Sequence, residues 1–258
     1  MLNEIIKKKL KEIVSLKSSL NISNIKPDGN KKYFYKKLLD NQKSKKNSII
    51  AEIKRKSPSK GVLIDNLNIS NTASSYSSGG ASCISVLTES NYFNGSNDDL
   101  VEVKKTINLP ILRKDFMLDP IQIYESKIIG ADCVLLIVSA LSKDMFKKLY
   151  DLSLELHLDV LVEVHNQDEL DFALMQNSKL IGINNRNLKT FDVDINTSIE
   201  LSASVNNDDI VLVSESGIRH RNDIIKLNEA GIYTFLIGEH LVKSNNIINE
   251  LGVLINGK

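Results

Sequence analysis

The chain has 258 residues, 42% of them hydrophobic, with 33 lysines and arginines against 32 aspartates and glutamates for a formal charge of +1. That balance suits a soluble globular domain and leaves no overall field to draw in nucleic acid or an anionic membrane, so an anionic ligand must be held by local groups. Two cysteines are too few for a disulfide framework or a zinc cluster, and no stretch reaches the roughly 18 apolar residues of a membrane span.

The first residues lack the unbroken apolar core of a signal peptide, so a cytoplasmic protein is expected. Leu2, Ile5, Ile6, Leu10, Ile13 and Val14 recur at helical spacing between lysines and glutamates, which predicts an amphipathic helix packed on its own domain. An Asn- and Lys-rich connector follows. A short helix is expected near Tyr33 to Leu39, and Asn41 to Asn47 are polar again. Residues 1–47 therefore read as a helical extension, and residues 48–258 as the body of a single domain.

From Ile49 onward a short apolar run recurs every 20 to 35 residues or so, the length of one strand–helix unit. The runs are 49–53, 83–87, 110–113, 133–137, 160–164, 180–184, 210–214 and 234–237. Cys83 and Cys133 each begin one and read as small buried hydrophobes. The runs are nearly continuous in apolar character, as strands covered on both faces should be. Helix starts lie between them. Asp119 precedes Pro120, Ser142 opens a polar-apolar stretch, and Asn166 with Glu169 resembles a capping box. Eight such units predict an α/β fold, a closed (β/α)8 TIM barrel. The competing open, doubly wound sheet usually carries a Gly-rich first turn, and none follows the first run.

In such barrels the reacting groups lie at the C-terminal ends of the strands, and residues two apart share a face. The first run ends in Glu52 and Lys54, the third in Lys114, the fifth in Glu163, the sixth in Asn184 with Arg186 two on, and the seventh in Glu215. Each alone could be a solvated charge. Together they place acids and bases around one mouth, where they can pair and shift one another's pKa values. Ser216-Gly217 after the seventh run and Gly238-Glu239 after the eighth suit a phosphate, which backbone N–H groups can approach closely at glycine. Ser57-Pro58-Ser59-Lys60-Gly61 reads equally as a structural turn or as a loop whose Ser57 and Lys60 meet the ligand. The four histidines show no metal-ligand spacing, and His165 reads as structural, so no metal is expected.

These strand ends closely resemble the indole-3-glycerol phosphate synthase family. The likeness is carried by Ile-Ala-Glu-Ile-Lys-Arg-Lys-Ser-Pro-Ser-Lys-Gly from Ile50, Ile-Ser-Val-Leu-Thr-Glu from Ile84 and Tyr-Phe-Asn-Gly-Ser from Tyr92. It continues in Leu-Arg-Lys-Asp-Phe from Leu112, Gly-Ala-Asp-Cys-Val-Leu-Leu-Ile from Gly130 and Val-Glu-Val-His from Val162. Ile-Gly-Ile-Asn-Asn-Arg-Asn-Leu from Ile181, Ser-Glu-Ser-Gly-Ile from Ser214 and Leu-Ile-Gly-Glu from Leu236 complete it, in order along nearly the whole chain.

The resemblance implies a cofactor-free lyase of tryptophan biosynthesis. It closes and decarboxylates 1-(2-carboxyphenylamino)-1-deoxyribulose 5-phosphate to indole-3-glycerol phosphate, carbon dioxide and water. By position, Lys54 and Lys114 stand beside the substrate carboxylate and ketone, with Lys114 the general acid of ring closure. Its pKa is expected to be lowered in a desolvated, cation-rich site. Glu163 is the acid–base partner in dehydration, and Glu52 stabilises charge on the anilino nitrogen. Asn184, Arg186, Glu215 and Ser216 complete the site. Ser57, Gly217, Gly238 and Glu239 match phosphate-binding loops, and Phe93 and Leu136 the wall around the anthranilate ring. The expected partner is this phosphorylated small molecule, with a monomer in possible contact with other enzymes of the pathway. Two readings compete: a barrel like phosphoribosylanthranilate isomerase, which would want a cysteine where Glu52 and Lys54 stand, and a non-catalytic sugar-phosphate-binding barrel.

Overall fold

The computed structural model describes residues 2–23, 25, 33–187 and 190–257. The connector at 26–32 and Leu188, the last residue of one motif, lie outside them. Eight parallel strands form a closed barrel. They are β1 (Ser48–Ile53), β2 (Cys83–Leu87), β3 (Ile111–Lys114), β4 (Cys133–Ile137), β5 (Asp159–Val164), β6 (Leu180–Asn184), β7 (Val211–Glu215) and β8 (Thr234–Ile237). Each expected run agrees with its strand to within one residue at either end. Closure is made by β1 pairing with β8 on one side, Ser48 opposite Thr234, and with β2 on the other, Ile50 opposite Cys83.

Helices cover the outside: α1 (Leu2–Ser19), α2 (Phe34–Lys43), α3 (Ile69–Ser78), α4 (Asn97–Thr106), α5 (Pro120–Ile128) and α6 (Lys143–Glu155). They continue with α7 (Gln167–Met175), α8 (Asn196–Ser202), α9 (Arg221–Glu229), the short α10 (Glu239–Val242) and α11 (Ile247–Asn256). The start signals act as expected at two helices. Asp119 and Gln122 form a capping box on α5, and Ser142 accepts from the Met145 N–H at α6. At α7 the box is displaced by one residue. Asn166 accepts from Glu169 N, but the Glu169 carboxylate reaches back to His165 N.

Strand alternation sorts the residues into two cores. On β1, Ile49, Ala51 and Ile53 face the helices, while Ile50 faces the barrel interior with Cys83, Leu112, Cys133, Leu161, Leu180 and Val211. Both cysteines are free and buried there. The N-terminal mouth is closed by α2, whose Phe34 and Leu38 are fully buried against that interior layer. Gln42 Nε2 also donates to Ile210 O at 2.9 Å.

α1 docks by four of the six expected apolar positions, Leu2, Ile5, Ile6 and Ile13, with Lys9 facing inward and Leu10 and Val14 left outside. Ile5, Lys9 and Ile13 are buried, whereas Leu10 and Val14 are exposed. The reason is electrostatic. Asp115, just past β3, is 3% exposed, and Lys9 Nζ sits 2.9 Å from its Oδ1 and 2.7 Å from Glu12 Oε2. A buried carboxylate needs a partner, and a lysine facing it outweighs two further apolar positions. Ile13 then packs on Leu118 and Ile121 of the α5 region. Lys9→Met should lower the unfolding free energy by about 3 kcal/mol, because it takes the nearest cation from the buried Asp115 and leaves it Arg113 at 3.6 Å. A urea titration showing a loss below about 1 kcal/mol would mean that α1 is held by its apolar contacts alone.

Candidate active site

The alternation that points Ile50 inward also points Glu52 inward one layer higher, and the same holds for Lys114, Glu163, Asn184 and Glu215 on their strands. They meet at the C-terminal mouth around a cavity of about 600 Å³, which Lys54, just past β1, also lines. Glu215 lies directly beneath the lining, with its side chain 1% exposed. The hub is Lys114. Its Nζ is 2.5 Å from Glu215 Oε2, 3.6 Å from Glu52 Oε2 and 3.9 Å from Glu163 Oε2. Lys54 pairs with Glu52 Oε1. Asn184 Nδ2 donates to Glu163 Oε1 at 3.2 Å, and Ser216 Oγ donates to Asn184 Oδ1 at 3.0 Å.

Two glycines make room for these carboxylates. A Cβ at Gly182 would sit 2.2 Å from Glu215 Oε1, and one at Gly238 would sit 2.4 Å from Glu52 Oε1. Gly238 therefore serves the carboxylate cluster as well as lining the cavity beside the eighth strand.

Burial opposes charge on Lys114, but Glu215, Glu52 and Glu163 outweigh it and hold the ammonium well above its ordinary pKa. This corrects the expected lowering: the close charged neighbours of Lys114 are three acids, and the second lysine is neutralised by one of them, Glu52. Burial likewise opposes charge on Glu52, yet Lys54 and Lys114 keep it below the usual carboxylate range. Glu163 is held well below that range against burial by His165, Lys114 and Asn184. Glu215 moves the other way. Burial, with Glu163 and Glu52 nearby, lifts it well above the carboxylate range despite Lys114.

Next to Glu215, Ser216 and Gly217 line the cavity and both have left-handed backbones, with φ of +68° and +87°. Asn185, which sequence reasoning passed over, holds this turn. Its Nδ2 donates to Ser216 O and Ser214 Oγ, and its Oδ1 accepts from Ser198 N and Oγ on α8. The second asparagine of the Asn184-Asn185 pair was the available signal. The Ser57 segment is a two-stranded hairpin in which Ser57 pairs with Gly61. Ser57 Oγ is buried on the cavity wall with no hydrogen-bond partner, while Lys60 is exposed at the tip. Arg186 lines the cavity and is braced by donation of Nη1 to Phe191 O at 3.1 Å. The Glu239 carboxylate turns to Lys243 at 2.9 Å, so an anion there would meet its backbone N–H and not its side chain.

The ring-side wall needs one correction. Phe93 lines the cavity, 6.4 Å from Phe116 between ring centroids, but Leu136 does not. Leu136 faces the helices with Val134 and Val162, and its neighbours Leu135 and Ile137 line the cavity in its place. On a strand, a shift of one residue reverses the face. Leu2 and Ile5 of α1 also reach this wall, contacts between distant segments that no local pattern announces.

His165 is a bridge between carboxylates, with Nε2 3.3 Å from Glu163 Oε1 and Nδ1 3.0 Å from Glu169 Oε2. Burial opposes its charge, but the two acids push its pKa up from 6.5 to about 10. A raised folded-state value contributes stability that is complete below pH 6.5 and lost as pH rises through about 10. His165→Gln should therefore be less stable than wild type near pH 6, with the gap closing toward pH 10 in urea titrations. A gap independent of pH would show that this imidazole is uncharged.

Structural likeness on its own establishes the barrel. A 3-hexulose-6-phosphate synthase superimposes with a TM-score of 0.64 at 12% identity, covering 80% of this chain and 97% of that one. A thiamine phosphate pyrophosphorylase from Pyrococcus furiosus gives 0.59 at 14% identity, covering 81% and 94%. Sequence likeness goes further. A protein named indole-3-glycerol phosphate synthase from Ruminiclostridium cellulolyticum is 48% identical over 207 residues, 80% of this chain and 79% of its own. One of the same name from Carboxydothermus hydrogenoformans is 47% identical over 218 residues, 84% and 82% of the two chains. The family model for indole-3-glycerol phosphate synthase matches residues 2–253. With that match spanning the barrel and its N-terminal helix, the chain belongs to the indole-3-glycerol phosphate synthase family.

Proposed function

We propose that this chain is a cytoplasmic, monomeric, single-domain carboxy-lyase. It converts 1-(2-carboxyphenylamino)-1-deoxyribulose 5-phosphate to indole-3-glycerol phosphate, carbon dioxide and water, in tryptophan biosynthesis. The observation that carries this reading is the convergence of Lys54, Lys114, Glu52 and Glu163 on one cavity, with Glu215 bonded to Lys114 beneath them and with Phe93 and the Ser216-Gly217 turn in the same lining. The substrate has matching ends, an anthranilate ring and a phosphate. Phe93, Leu135 and Ile137 suit the ring. Ser57 Oγ, Arg186 and the backbone around Ser216, Gly217, Gly238 and Glu239 suit the phosphate.

Ring closure joins the carboxyl-bearing ring carbon to the ketone carbon, and the ketone oxygen gains a proton. Lys114, firmly ammonium in the free site, donates that proton as charge develops on the oxygen. Lys54 pairs with the substrate carboxylate until carbon dioxide leaves and returns its electron pair to the ring. Glu52 faces the positive charge on the anilino nitrogen. The new hydroxyl then takes a proton from the reloaded Lys114 and departs as water, and a second proton is lost from the adjacent carbon. Glu163, held ionised, is suited to accept that proton. Asn184 keeps Glu163 oriented. Glu215, with its raised affinity for protons and its hydrogen bond to Lys114, is placed to reload the lysine.

Purified protein supplied with the substrate should produce indole fluorescence, whereas binding without product would favour the non-catalytic barrel. Lys114→Ala should lower kcat by roughly 10² or more, as loss of a positioned acid does, measured on the fraction of the variant that circular dichroism shows to be folded. A near-wild-type rate removes Lys114 from the mechanism. Gly217→Ala would force a Cβ to within 2.6 Å of Val193 Cγ1 in a left-handed turn. It should raise KM roughly tenfold with a smaller change in kcat, by displacing backbone donors. An unchanged KM would place the phosphate elsewhere.

A further inference from the structure

Glu89 belongs to the Ile-Ser-Val-Leu-Thr-Glu motif, yet no step above uses it. It lies two residues past β2 and is 1% exposed. Its carboxylate meets no lysine or arginine among the described ion pairs. Instead it collects backbone donors from the loop that follows. Oε1 accepts from Asn91 N at 3.0 Å, and Oε2 accepts from Tyr92 N at 2.7 Å and Phe93 N at 3.1 Å. The Glu89 carbonyl accepts from Gly95 N at 2.9 Å, closing the loop on itself. Gly95 lies so close to β2 that a Cβ there would come within 2.1 Å of Leu87 O. The chain thus wraps its own amides around one buried carboxylate, and charge-assisted bonds of this kind are roughly twice as strong as neutral ones.

Of residues 88–95, Phe93 is the side chain that reaches the cavity, and its own N–H is one of the three on the carboxylate. The loop is also tied to α1. Asn91 Nδ2 donates to Glu12 Oε1 at 2.5 Å, and Lys8 Nζ lies 4.6 Å above the Tyr92 ring. We infer that Glu89 is a positioning residue. By gathering the N–H groups of residues 91–93 it fixes the Phe93 ring against Phe116 and so sets affinity for the aromatic end of the substrate. This rests on the proposed reaction for where that aromatic end lies. A carboxylate serving only to fold the loop would affect both ends of the cavity alike or neither.

Glu89→Gln keeps the volume but replaces one acceptor oxygen with a donor, which faces the amides it should accept from. Anthranilate probes the ring end and inorganic phosphate the other end. The variant should raise KM and weaken anthranilate binding roughly tenfold, the loss expected for charge-assisted bonds. Its kcat should change less than about threefold, and phosphate affinity should stay put. Combined with Phe93→Ala, it should cost little more than either change alone, because both remove the same contact. Glu89→Asp, which keeps the charge and shortens the reach, gives the same readout if the glutamine variant does not fold.

Since the chain has no tryptophan, Phe93→Trp supplies a single tryptophan whose emission can be excited apart from that of the tyrosines. Adding Glu89→Gln should shift its emission to the red and raise its iodide quenching. Unchanged emission, additive losses, or equal weakening of anthranilate and phosphate would each overturn the clamp. Wild-type protein that binds no anthranilate and forms no indole product would overturn the proposed reaction, while the emission measurement still judges the clamp.

Discussion

A buried ammonium among three carboxylates is the constraint on which the C-terminal mouth of this barrel depends. Lys114 comes from β3, Glu52 from β1, Glu163 from β5 and Glu215 from β7. Each charge taken alone would be costly to hold out of water, and breaking such a cluster strands the remainder. The four strands are thereby linked across the barrel axis by interactions that work only if the barrel closes. Three acids sharing one close cation also cannot all be satisfied equally. The nearest, Glu215, lies deepest and holds its proton most readily, while Glu163 and Glu52 have second cationic partners and stay ionised. The same packing that balances the charge therefore produces acids of unequal strength in one cavity, which proton transfer needs.

Geometry makes this balance possible through absent atoms as much as through present ones. Gly182 and Gly238 leave space for the Glu215 and Glu52 carboxylates, and any side chain at either would displace one. Glycine costs conformational entropy within a strand, and here the site recovers that cost by admitting a charged group at the barrel axis. Below this layer the interior is filled mainly by apolar side chains such as Ile50, Cys83, Leu112 and Leu161, with Phe34 and Leu38 at the far mouth. Ions at the upper mouth thus rest on a largely apolar floor, where an electrostatic contact is stronger than in water.

The N-terminal helix joins stability to the site. Lys9 neutralises Asp115, the residue next to Lys114, and Leu2 and Ile5 of the same helix reach the cavity wall. Glu12 and Lys8 extend the contact to the loop carrying Phe93. A segment that precedes the barrel in sequence thus covers its working face, held by a buried ion pair at its centre. The Asn185 network does comparable work at the end of β7, joining β6, α8 and the left-handed turn at Ser216.

Much of this was legible in the sequence, because it depends on local periodicity. Apolar runs separated by capped helices determine eight strand–helix units, and alternation along each run puts Glu52, Lys114, Glu163, Asn184 and Glu215 on the inner face. The motifs around them identify the family. What the sequence could not decide involves partners distant in the chain or a choice of one residue in phase. Leu136 and Leu135 are equally apolar, and only strand registry selects Leu135 for the cavity. The apolar spacing of α1 included Leu10 and Val14 along with Ile5 and Ile13, but Leu10 and Val14 are exposed while Lys9 faces inward against the buried Asp115. The direction of the Lys114 shift was likewise undecided by its own strand. The number and distance of carboxylates around an ammonium are set by barrel closure, because pKa depends on neighbours in space and sequence supplies only neighbours in order.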